Sequence, residues 1–168
     1  MKSQLEAQWH TVFAPDLPDP IHPTPQAWRE TIDPFLQNLD NGIIIWHSLW
    51  APLAIDFVTH HNLPLQHLIL VAPTFPEQRN VIDLSAYEWL IETQERFYAK
   101  QEDLMKIWNL CHKIDLFLSK DDPYIPYNHA LGYYSQIPNI ELHSFEDKGH
   151  FNKSAGVTEF PELLGTIN

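Results

Sequence analysis

The chain has 168 residues, enough for one domain with a sizeable core. Its 44% hydrophobic and 19% charged composition excludes a disordered chain. The formal net charge of −12 repels phosphate backbones and anionic lipid, which argues against nucleic acid and membrane surfaces as partners.

Five segments read as strands: "HTVFAP" (10–15), "GIIIWH" (42–47), "HLILVAP" (67–73), "KIDLFLS" (113–119) and "IELHSF" (141–146). Several are near-continuous apolar runs, the pattern of strands buried on both faces of a parallel sheet. The proline-rich stretch 14–25 leaves the first of them as a loop. Residues 24–39 then read as a helix with Thr24 as N-cap and Pro25 in its first turn, kinked or split at Pro34. Helical patterns follow at 53–62, 84–110, 127–136 and 159–167. Alternating strands and helices define an α/β fold, a doubly wound and mostly parallel sheet of about five strands with helices on both faces. Neither a linker nor a repeat divides the chain, so 1–168 is expected to be a single domain.

The one cysteine, Cys111, cannot form an intramolecular disulfide, and its setting suits a buried structural thiol. With no apolar leader and no run of about 20 apolar residues, a cytoplasmic location is expected. The ten histidines lack the H-x-x-x-H and H-E-x-x-H spacings of metal sites and are better read as surface or capping residues, so no metal is expected. No glycine-rich phosphate loop is present, and no cofactor is expected. Trp89, Phe97, Tyr98 and Trp108 could form a lid over an apolar pocket, but their helical spacing favours a place in the core.

The chemistry-bearing residues sit where strands end. Ser48 follows the second strand, at the edge where open α/β sheets place ligands. Asp121 and Asp122 follow the fourth, and His150 follows the fifth behind Gly149. Taken singly these are a helix cap, a turn and a loop histidine. Together they give the chain order Ser, Asp, His of α/β-hydrolases, in which a base activates the hydroxyl and an acid orients the base.

The segments "PDLPDP" (15–20), "IIIWHSL" (43–49), "LILVAP" (68–73), "SKDDPYIP" (119–126) and "KGHFNKSAGVTEFPELL" (148–164) resemble a family of small α/β-hydrolases. These are the serine hydrolases grouped with retinoblastoma-binding protein nine and bacterial YdeN. The resemblance implies Ser48 as nucleophile, His150 as base and Asp122 as acid, with Asp121 as the second candidate acid. It also implies Leu49 N–H as an oxyanion donor, and a small ester or amide as substrate.

Two departures from the family pattern shape the remaining expectations. The family begins with a strand and a glycine-containing loop that carries the second oxyanion donor. The segment "KSQLEAQ" (2–8) matches the tail of the helix after that loop, so strand and loop have no counterpart. Losing one such donor costs about 100- to 1,000-fold in turnover, and weak esterase activity is therefore expected. An inactive scaffold that binds a protein or ligand is the alternative. Trp46 and Trp50 also replace the glycines that flank the nucleophile, and are expected to fill space vacated by backbone. For the sheet, residues 10–15 are expected to pair directly with 42–47; otherwise a second chain would complete that edge as a homodimer.

Overall fold

A computed structural model describes residues 1–20, 22–76, 78, 97 and 99–167. Among these residues four strands form one parallel sheet in the order β1 (Gly42–His47), β2 (Leu65–Val71), β3 (Cys111–Ser119) and β4 (Glu141–Phe145). The helices are α1 (Lys2–Ala7), α2 (Pro25–Ile32), α3 (Leu36–Leu39), α4 (Trp50–His61), α5 (Gln101–Leu110), α6 (Tyr127–Tyr134) and α7 (Pro161–Leu164). Each parallel step from strand to strand contains one of α4, α5 and α6.

Period-two alternation sorts the strand residues between two cores. Ile44, Leu68, Leu70, Ile114, Leu116 and Leu118 join the larger one with α4, α5 and α6. Ile69, Val71 and Phe117 point the other way, onto Leu5 of α1, Phe160, and Leu163 of α7. Helix α4 buries Ala51, Leu53, Ala54, Ile55, Phe57 and Val58, and it ends at Asn62, whose left-handed backbone caps it. The thiol of Cys111 is buried at the start of β3, and burial pushes it up to about 12.

Pro34 divides the segment 24–39. Helix α2 stops at Ile32, a 3₁₀ turn spans Asp33–Phe35, and α3 follows. Thr24 caps α2, its hydroxyl oxygen accepting from Ala27 N–H at 3.2 Å. This helix carries Trp28, fully buried, which packs on Trp50 and Phe97 and donates from Nε1 to the Pro18 carbonyl at 2.7 Å. Thr24→Ala is expected to lower unfolding free energy by about 1 kcal/mol, the usual worth of such a cap. Urea denaturation of the two proteins would measure it.

Residues 10–15 do not form the expected strand, and they do not pair with β1. Their apolar signal has another use: Val12 packs on the Leu5 cluster, while Phe13 lies against Phe35, the rings tilted with centroids 4.9 Å apart. Pro15 has no N–H to give a ladder. Between this segment and β1 lies a cavity of about 660 Å³, bordered by Val12, Phe13, Ile43, Ile45, Trp46 and Trp50. Among the described residues the ladder of β1 therefore runs to β2 alone.

The aromatic residues considered as core or lid divide. Phe97 is buried against Trp28, but Trp108 is 40% exposed and so is not core. Trp89 and Tyr98 lie outside the described residues, as does the helical pattern over 84–96.

Candidate active site

At the C-terminal end of β1 the backbone turns abruptly into α4, and Ser48 occupies the corner with φ of +58°. A left-handed conformation costs a side-chain-bearing residue on the order of 1 kcal/mol, so the surroundings must hold it. They do so by continuing the sheet's bonding past the strand ends. Ser48 N–H donates to the Val71 carbonyl at 2.8 Å, and the Ser48 carbonyl accepts from Ala51 N–H at 3.1 Å and from Thr74 N–H at 3.3 Å. The turn lifts the hydroxyl clear of the sheet, and Leu49 N–H follows it at the head of α4.

The flanking tryptophans are accommodated on the open side of β1. Trp50 lies against Trp28, ring centroids 3.3 Å apart, and Trp46 packs with both the main core and the Trp28 cluster. Both indoles border the 660 Å³ cavity. Ser48 does not border it, so this volume lies along the strand edge rather than over the hydroxyl.

Two loops converge on Ser48. His150 Nε2 is 2.9 Å from Ser48 Oγ, and His150 Nδ1 is 2.8 Å from Asp122 Oδ2. An ionised carboxylate only accepts, so this contact fixes the proton on Nδ1 and leaves Nε2 bare toward the serine. The imidazole is 10% exposed. Asp122 is itself held by its other oxygen, Oδ1, which accepts from Tyr124 N–H at 2.8 Å and Ile125 N–H at 3.0 Å.

Asp121, the second candidate acid, is turned elsewhere. Its Oδ1 accepts from Ser119 Oγ and, at 2.8 Å, from Gly149 N–H, and Ser119 Oγ accepts from Lys148 N–H at 3.0 Å. The Ser119 bond, then the Gly149 bond, hold its carboxyl below the usual carboxylate range. Asp121 thus ties the end of β3 to the loop that carries His150. Gly149 allows the close approach: its φ is +49°, and a Cβ there would lie 2.7 Å from Ala155 Cβ. After it, Phe151 anchors the loop among Phe145 and Phe160.

One contributor escaped the motif-level argument. His47, the last residue of β1, lies beside the catalytic-type histidine with ring centroids 4.6 Å apart. Its Nε2–H donates to the His150 carbonyl at 2.8 Å. Burial first, and then the neighbouring His150 imidazole, push His47 down to about 4. The only sequence signal was adjacency to Ser48. His67 is buried, at 4% exposure, and His47 is half-buried, so the expectation of surface or capping histidines fails for these two, each of which a hydrogen bond holds in place.

A parallel sheet with a strained nucleophile-type turn at one strand end, and Asp and His loops at two others, defines the α/β-hydrolase class. The sequence pattern of the serine hydrolase family matches residues 2–168, and the chain belongs to that family. Serine hydrolase RBBP9 of Rattus norvegicus is 29% identical over 159 residues, 92% of this chain and 75% of the rat protein. Among solved structures, the ydeN gene product of B. subtilis superposes with a TM-score of 0.78 at 23% identity, covering 99% of this chain and 85% of its own. A putative yden-like hydrolase from Pectobacterium atrosepticum gives 0.59 at 23% identity, covering 85% and 66%. Among the described residues no helix is long and apolar enough to cross a membrane.

Proposed function

We propose that this serine hydrolase cleaves a carboxylic ester or amide through Ser48, His150 and Asp122. The observation that carries the reading is the continuous chain of contacts, Ser48 Oγ to His150 Nε2 at 2.9 Å and His150 Nδ1 to Asp122 Oδ2 at 2.8 Å. As Oγ attacks the carbonyl carbon, its proton passes to Nε2, and the Asp122 carboxylate steadies the imidazolium. The carbonyl oxygen becomes an oxyanion, with Leu49 N–H at the helix head as its donor. Collapse expels the alcohol or amine, which takes the proton from Nε2. Water then repeats the sequence on the acyl-enzyme and releases the acid.

The test is labelling by a fluorophosphonate, which needs an activated serine, together with hydrolysis of a short p-nitrophenyl ester. Wild type is expected to label and to turn over slowly, and Ser48→Ala to do neither. Equal labelling of Ser48→Ala, or none of the folded wild type, would overturn the proposal.

A further inference from the structure

A second constellation of donor groups lies at the opposite end of the sheet. Asp115 sits on β3 four residues before Ser119, roughly 13 Å back along the strand. Its side chain is fully buried. His67 from β2 donates to Asp115 Oδ2 at 2.8 Å, and the Lys113 ammonium lies 3.0 Å from the same oxygen. Lys113 also lies 3.4 Å from Glu141 Oε2 on β4. Each carboxylate thus has one oxygen engaged and presents the other to His143. His143 Nε2 is 3.5 Å from Asp115 Oδ1 and 3.8 Å from Glu141 Oε1.

These inward-facing atoms are not paired by hydrogen bonds. Asp115 Oδ1 and His143 Nε2 are both buried without a hydrogen-bond partner, 3.5 Å from each other. An unpaired buried acceptor costs on the order of 1–3 kcal/mol, more when charged, so the arrangement calls for an occupant. Nothing about the ring is loose. His143 stacks on Phe117 with centroids 4.3 Å apart and planes within 12°, which aims Nε2 at the carboxylates.

We infer that Asp115, Glu141 and His143 form a binding site for a divalent transition-metal ion, zinc being the best fit. The three residues offer one donor atom each, all within 4.8 Å of one another. Donors about 2.0–2.2 Å from a tetrahedral zinc stand about 3.3–3.6 Å apart, so small side-chain adjustments close the site. One imidazole and two carboxylates suit zinc, and a solvent molecule would fill the fourth position. His67 and Lys113 hold the outer carboxylate oxygens, as supporting partners do around metal ligands. Two carboxylates and one ammonium leave a net negative charge for a cation to meet. Glu141 is 57% exposed and His143 22%, which gives the ion an entry from solvent. Bound there, zinc would clamp the edge strand β4 to β3, and its role would be structural. Histidine spacing could not reveal the site, because its ligands come from two strands brought side by side.

Titration of the full chain with zinc chloride, by calorimetry and by thermal unfolding, tests the inference. One zinc per chain at micromolar or tighter affinity is expected, with a zinc-dependent rise in Tm. Glu141→Gln, at an exposed position that does not threaten folding, and His143→Ala should each weaken binding by at least about tenfold. His60→Ala, which removes an unrelated exposed histidine, should leave it unchanged. Absence of binding, or binding that survives Glu141→Gln and His143→Ala, would overturn the site.

Discussion

Asp122→Asn is expected to lower kcat by about four orders of magnitude while changing KM little, the loss seen when the matching change is made in serine proteases of unrelated fold. The size follows from how the two carboxylate oxygens are used. Oδ1 accepts from the N–H groups of Tyr124 and Ile125, and Oδ2 accepts from His150 Nδ1. An asparagine keeps its carbonyl oxygen on the two backbone donors, so the loop should hold its shape. Its amide then faces Nδ1 as a donor. The imidazole answers by taking the other tautomer, with the proton on Nε2, and can no longer accept one from Ser48. Steady-state kinetics on a p-nitrophenyl ester, with circular dichroism to show an intact fold, would measure this. A loss smaller than tenfold would mean that Asp122 does not set the tautomer.

Much of this site was legible in the sequence because strand ends are easy to find in a doubly wound protein. "GIIIWH" carries the apolar run of a parallel-sheet strand, and whatever follows such a strand lies at the ligand edge. Ser48, Asp122 and His150 could therefore be placed on one rim from local patterns alone. The choice between Asp121 and Asp122 rested on the family resemblance, since orientation around a turn has no one-dimensional signature. Only the bonds of Asp121 to Ser119 and Gly149 display its separate job.

The misreadings have physical causes. Val12 and Phe13 carry the alternation of a strand, yet that alternation is satisfied by side chains reaching to either side of a sheet edge, without a ladder. Trp108 shares a helical spacing with buried residues, but α5 turns it to solvent while Leu104 and Ile107 face the core. The polar group of His67, Lys113, Asp115, Glu141 and His143 was invisible because it is assembled across three strands. Parallel register, which sets Asp115 against Glu141 and Phe117 against His143, is what creates it.

His47 should make the protein acid-sensitive within a definable window. In the unfolded chain its imidazole titrates near 6.5, and in the folded protein burial holds it down to about 4. Between these values the unfolded state binds a proton that the native state refuses, so unfolding gains free energy as pH falls. Stability from this group is complete above pH 6.5 and is lost progressively down to about pH 4. At roughly 1.4 kcal/mol per pH unit the window is worth about 3 kcal/mol. The physical cost is specific: a charged, half-buried His47 would sit 4.6 Å from the His150 ring. His47→Gln removes the titration and retains an amide N–H for the His150 carbonyl, the acceptor that His47 Nε2–H now uses. Urea unfolding at pH 7 and at pH 4 is expected to show wild type losing about 3 kcal/mol more than His47→Gln, with carboxylate contributions cancelling in the comparison. Parallel losses in the two proteins would show that His47 does not resist protonation in the native state.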